Sequence, residues 1–189
     1  MHGLDPGADG HAIQRSLAKP EAFAAIFDRH FDAVYGYARR RVGAELAEDI
    51  ATDVFTRAFD RRKTFDVTRR DARPWLLGIA ANLLRRHWRT ERRRLEAYAR
   101  AAGGAAPENA ETRIEVVAAL DSLSRDEREA LFLFAVADLS YEEIADALGV
   151  PIGTVRSRLS RARSRVRHHL GNGSTAAASS SDPKESFNV

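Results

Sequence analysis

The 189-residue chain has no cysteine, one methionine and two tryptophans. Without cysteine there can be no disulfide framework, thiolate nucleophile or thiolate zinc site. No apolar run approaches the ~20 residues that a membrane-crossing helix needs. The opening residues, MHGLDPGADGHAIQRSLAK, lack the continuous apolar stretch of a signal peptide. A cytoplasmic protein is therefore expected. A Gly-rich phosphate loop, a Ser/His/Asp arrangement and a metal-ligand cluster are also missing. No enzyme, catalytic residue, metal or cofactor is expected.

What is present points to a folded protein with a charged partner. Apolar residues make up 44% and charged residues 30% of the chain, a normal balance for a globular fold. The net charge of +3 says little. Its distribution says more: arginines crowd into 61–73, 85–94 and 156–167, and acids into 45–60 and 108–129. Basic patches of this kind suit a polyanion.

Residues 1–19 show no sustained periodicity and are expected to be disordered. Pro20 suits a first helical turn. Beyond it Phe23, Ile26, Phe27, Phe31, Val34 and Tyr35 recur at helical spacing until Gly43. A second amphipathic helix follows, its inner stripe read as Leu46, Ile50, Val54 and Ala58. Asp49, Thr52, Asp53, Thr56 and Asp60 share its polar face. That face is either a solvated helix surface or an acidic docking face for a basic partner.

Residues 61–73, RRKTFDVTRRDAR, lose the helical pattern and read as a basic loop. Pro74 then opens a third helix, with Trp75, Leu76, Ile79, Ala80 and Leu83 on one side. Gly78, Asn82, Arg85 and Arg89 take the other, with Arg86 near its edge. Trp88 is read as its last core residue, with a stacking platform as the alternative. Six arginines against one acid between Arg85 and Arg94 exceed what solubility requires.

Gly103, Gly104 and Pro107 mark a linker over 96–112. Past it, a helix is expected around Ile114 to Leu120. Two Ser-x-x-Glu capping boxes, Ser124 with Glu127 and Ser140 with Glu143, start two more helices. Gly149 sets a tight turn before a last helix from about Ile152 to His169. In it Val155, Leu159, Ala162 and Val166 face inward. Arg156, Ser157, Ser160, Arg161 and Ser164 face outward, flanked by Arg158, Arg163 and Arg165. A helix, a tight turn and an arginine-bearing helix read as a helix-turn-helix module for duplex DNA. The serines allow close approach, arginines reach guanine edges, and Thr154 with the flanking arginines can hold phosphates. The tail, 171–189, is polar, low in complexity and expected to be disordered.

These stretches together resemble the extracytoplasmic-function (ECF) sigma factors of the sigma-seventy family. AEDIATDVFTRAF is similar to the core-binding helix, PWLLGIAANLLRRHWR to the −10-reading helix and LSYEEIADALGVPIGTVRSRLSRAR to the −35-reading module. The resemblance implies an all-α fold of two small helical domains, 20–95 and 113–170, joined by a flexible linker. It implies RNA polymerase core as a partner, through the largest-subunit clamp helices and the flap. Promoter DNA, as duplex and as non-template single strand, is a further partner, and the family often implies an anti-sigma factor. No membrane partner is implied, and the setting would be the cytoplasm at the nucleoid.

By position, Asp49, Thr52, Asp53 and Thr56 would meet core polymerase. Arg61, Arg62, Lys63, Asn82, Arg85, Arg86 and Arg89 would take the −10 element. Thr154, Arg156, Ser157, Arg158, Ser160, Arg161, Arg163 and Arg165 would take the −35 element. An extended linker of about 18 residues spans roughly 60 Å, enough for roughly 17 base pairs, which cover about 58 Å.

Overall fold

A computed structural model describes residues 8–69, 71–102 and 119–176, with side chains described for 9–69, 71–90 and 119–169. The described residues form helices and turns without a strand. The helices are α1 (Ala8–Ser16), α2 (Ala24–Val42), α3 (Ala44–Arg61), α4 (Arg73–Ala102), α5 (Arg125–Ala135), α6 (Tyr141–Leu148) and α7 (Ile152–Ala176). Short 3-10 turns cover Pro20–Phe23 and Arg62–Thr64.

In the first half, α2, α3 and α4 pack together around Ile26, Val34, Val54, Leu76, Leu77 and Leu84, each at most 1% exposed. The inner stripe of α3 is Ala47, Ala51, Val54, Phe55 and Ala58. Leu46, expected inside, is 39% exposed. Small alanines pack closely against α2, and this rotates the buried arc by one residue. Trp75 is partly buried against Phe65, whereas Trp88 is 48% exposed and is no core residue.

The expected disorder of 1–19 is corrected for the described part, because α1 is docked on this core. Ile13 is fully buried and Asp9 is 3% exposed. The Asp9 carboxylate accepts from the Arg29 guanidinium, from His30 Nε2 at 2.7 Å and from the Ala72 N–H at 2.9 Å. With one large apolar residue to bury, the segment shows no periodicity; a single carboxylate anchors it instead.

Burial would raise the Asp9 pKa, but His30, the Ala72 N–H and Arg29 together hold it at about 2. The native state thus keeps Asp9 charged where the unfolded chain would protonate it. Its contribution, about 2 kcal/mol, is complete above about pH 4 and is lost as pH falls towards 2. Denaturant titrations at pH 5 and pH 2.5 should show this difference for the native chain and a smaller one for Asp9→Asn.

Helix α4 runs on to Ala102, so 96–102 is helical rather than linker. LEAYARAA is rich in strong helix formers, which extend the helix up to the glycine pair. The rest of the expected linker, and most of the helix expected at 114–120, lies outside the described residues. Likewise α7 reaches Ala176, past the expected boundary at 170. The remainder of the tail and residues 1–7 lie outside the described residues.

The second half follows its local signals closely. Both capping boxes form: Ser124 Oγ accepts from the Glu127 N–H, and Ser140 Oγ from the Glu143 N–H. Gly149 caps α6 in the left-handed conformation, φ 65° and ψ 39°, which a side chain would strain. Ala130, Leu133, Ile144, Val155, Leu159 and Ala162 are fully buried between α5, α6 and α7.

The halves pack on one another as well. Helix α6 lies along α4 where a Cβ on Gly78 would run into the Ala147 carbonyl.

Candidate nucleic-acid interface

The arginine face of α7 is partly engaged by its own domain. Arg156 and Ser160 are exposed and Thr154 is half-buried. Ser157 donates to the Thr154 carbonyl. Arg158, Arg161, Arg163 and Arg165 are held by residues of α5 and α6. Arg158 pairs with Asp126, and Arg163 donates to the Tyr141 hydroxyl at 2.8 Å with its guanidinium 5.1 Å from the Phe134 ring centre. Arg161 Nε lies 3.0 Å and Arg165 Nη1 2.7 Å from the carboxylate of Glu127, itself 3% exposed. Burial would raise the Glu127 pKa, yet hydrogen bonds from Ser124 and the two guanidinium groups hold it below the usual carboxylate range. Sequence reading found the capping role of Glu127 but not its pairing with side chains 34 and 38 positions away.

On the first half, Asn82, Arg86, Arg89, Arg61 and Lys63 are exposed, and Arg85 is half-buried. Arg62, expected with the −10 set, is half-buried and engaged within the first half: its guanidinium lies 3.7 Å over the Phe59 ring, donates to the Phe59 carbonyl and reaches the Ser16 carbonyl. The Gly78 stretch of the α4 face is covered by α6. Asp49, Thr52, Asp53 and Thr56 are all exposed along α3, with Glu45, Glu48 and Asp60 extending the same acidic surface. Only the weak Asp53–Arg57 pair, at 4.0 Å, offsets it among the described residues.

The seam between the halves contains groups that sequence reading did not single out. Glu129 on α5, 2% exposed, accepts from the Tyr37 hydroxyl at 2.6 Å and from Arg41 Nη1 at 2.5 Å. Burial, then the Glu129 charge, push the Tyr37 phenol up. Arg40 and Arg73 donate to the Val136 and Ala137 carbonyls, and Arg69 pairs with Asp146 at 2.9 Å. Buried Nε atoms of Arg73, Arg85 and Arg128 have no hydrogen-bond partner among the described residues. Such donors weaken a seam. Because the partners lie 88 to 92 residues apart, no local pattern could have shown them.

Among the described residues, one trio of metal-ligand types converges: Asp9, His30 and Asp71. Its oxygens already accept from Arg29, His30 and the Ala72 and Arg73 N–H groups. The trio works as the anchor of α1.

Comparison with known proteins fits this geometry. Residues 26–94 match the family Sigma-70 region 2, and 113–166 match Sigma-70, region 4. The chain is 34% identical to RNA polymerase sigma factor CarQ of Myxococcus xanthus, over 80% of this chain and 90% of CarQ. It is 37% identical to ECF RNA polymerase sigma factor SigC of Mycobacterium tuberculosis, over 62% of this chain and 66% of SigC. The match thus spans just under two thirds of SigC. Among solved structures it is similar to CnrH, determined with the cytosolic domain of CnrY. The TM-score is 0.63 at 26% identity, covering 87% of this chain and 98% of CnrH.

Proposed function

We propose that this chain, which belongs to the extracytoplasmic-function sigma factors of RNA polymerase, is a promoter-specificity subunit with no catalytic chemistry of its own. The observation that carries the reading is one chain holding an exposed acidic helix face and two separate arginine-bearing helices. The face of α3 at Asp49, Thr52, Asp53 and Thr56 docks on the clamp helices of the polymerase core, and the second half meets the flap. Helix α7 enters the −35 major groove, with Arg156, Ser157, Ser160 and Arg161 towards base edges. Thr154, Arg158, Arg163 and Arg165 lie towards phosphates. Asn82, Arg85, Arg86 and Arg89, with Arg61 and Lys63, take the −10 element and its opened strand. Opening costs a few kcal/mol per flipped base, offset by contacts to that base. Binding should weaken steeply with salt as neutralised phosphates release counterions.

The closed seam leaves Gly78 covered, so access to that stretch of α4 requires α6 to leave it. Core polymerase, by engaging both halves, would favour that separation. The structure of the similar CnrH holds the cytosolic domain of CnrY, and that of the similar RpoE of Bartonella quintana holds the anti-sigma factor NepR; by that likeness an anti-sigma factor is a further partner. No described helix is long and apolar enough to cross a membrane; the proposed place of action is the nucleoid.

The test is run-off transcription by purified core polymerase with and without the chain, on a library of promoter fragments. Specific starts that need the chain are the expected result. Asp49→Lys combined with Asp53→Lys should weaken core binding on the order of tenfold or more while leaving helix content intact. Unchanged core affinity would remove the docking role of this face.

A further inference from the structure

The structure assigns to Glu127 a positioning role in promoter reading: its carboxylate holds Arg161 of α7 in the orientation that reads a guanine in the −35 element. This rests on the proposed −35 role of α7. Glu127 sits at the third position of α5, where the capping box fixes its backbone and where Ser124 N donates to Oε2 at 3.0 Å. Its other oxygen, Oε1, accepts from Arg161 Nε at 3.0 Å. The carboxylate is buried while the Arg161 side chain remains 55% exposed. A guanidinium gripped through Nε keeps both terminal nitrogens outward, and those two form the fork that matches guanine O6 and N7.

Arg165 differs. It spends Nη1 on both Glu127 Oε2, at 2.7 Å, and the Ser122 carbonyl, at 3.3 Å. Its end-on pair of terminal nitrogens is therefore incomplete, and Arg165 suits a phosphate. One buried carboxylate therefore gives two neighbouring arginines different tasks. A free arginine must lose side-chain freedom when it meets a base, whereas Arg161 has already lost much of it. Its preference for guanine over other bases is sharpened accordingly, as arginine placed by a second group is pre-organised for a planar target.

Glu127→Gln separates this role from folding. Glutamine also completes a capping box, and the two arginines it releases are about half exposed, so neither is stranded in the core. Full-length chain in reconstituted holoenzyme should transcribe a promoter library randomised in the −35 element. The native chain is expected to select guanine at one position or more. Glu127→Gln should lower discrimination at the position read by Arg161 on the order of tenfold, with the others retained. Arg161→Lys, an exposed change that keeps charge but removes the fork, should lose the same position. The double variant should add little to either single change.

Native selection at −35 that survives Glu127→Gln unchanged, or falls evenly at all positions, overturns the proposal and leaves the promoter reading standing. A native holoenzyme indifferent to −35 bases overturns the promoter reading, and this proposal with it. Should Glu127→Gln melt markedly earlier than the native chain, Arg161→Lys decides: loss confined to one guanine position supports the fork, and no loss overturns it.

Discussion

Glu129→Ala is expected to part the two halves of the chain while each stays folded. Glu129 is 2% exposed and faces Arg41, whose side chain is 5% exposed. The Arg41 guanidinium also lies 4.6 Å from the ring centre of Phe132 and 5.5 Å from that of Tyr37. Removing one member of a buried ion pair leaves the other charge uncompensated, at about 3–5 kcal/mol. The chain can avoid that cost by opening the seam, which returns Arg41 to water. The Arg69–Asp146 pair, the Arg40 and Arg73 donations and the packing of α6 on α4 oppose opening, but the seam also holds three buried guanidinium nitrogens without partners among the described residues. The domain cores at Leu84 and Leu133, both fully buried, do not depend on Glu129. The radius of gyration by small-angle scattering should rise, with circular dichroism almost unchanged. Affinity of the isolated chain for promoter DNA should increase as α4 is uncovered. Tyr37→Phe, which removes the hydroxyl's bond to Glu129 and the bond it accepts from Arg41 but leaves the ion pair, should shift the balance by only about 1–2 kcal/mol. An unchanged radius combined with a lower melting temperature would make the cluster a purely structural element.

This seam marks where sequence reading ended. The capping boxes, the turn at Gly149 and the helices other than α1 are local, each specified within four or five residues, and they were legible, although α4 and α7 run past their expected ends. The division of α7 into an inward arc of Val155, Leu159 and Ala162 and an outward arginine arc was legible for the same reason. Gly78 was legible as part of the arginine side of α4, but not what packs on it, because the carbonyl of Ala147 comes from the other half. The outward arginines could not be assigned partners, since Asp126 and Glu127 reach them only after α5 and α7 have packed. Leu46 was misplaced because hydropathy favours leucine over the alanines that close helix packing selects. What escaped in each case was a contact between distant residues, through a charge, a small side chain or a backbone carbonyl.

The N-terminal segment is the sharpest such case, and deleting residues 1–19 is expected to destabilise the first half by several kcal/mol rather than trim a tail. The deletion removes Ile13, fully buried, at about 2–5 kcal/mol for its lost packing. It also leaves His30, 6% exposed, and the Ala72 N–H without the Asp9 carboxylate that now satisfies both. Denaturant unfolding should separate the contributions: Ile13→Ala should lower stability at every pH, and Asp9→Asn chiefly above pH 4. Deletion that changes stability by less than about 0.5 kcal/mol, the scale of a surface change, would make the docking of α1 incidental. A functional consequence follows from where α1 sits. Its last residue accepts from Arg62, and Asp9 holds Ala72, so α1 braces both ends of the basic loop proposed to trap the opened −10 strand. The acidic face of α3 has no such dependence. The deletion, or Asp9→Asn by itself, should therefore slow open-complex formation more than it weakens core binding, and permanganate footprinting alongside a core-affinity measurement would show the two effects diverging.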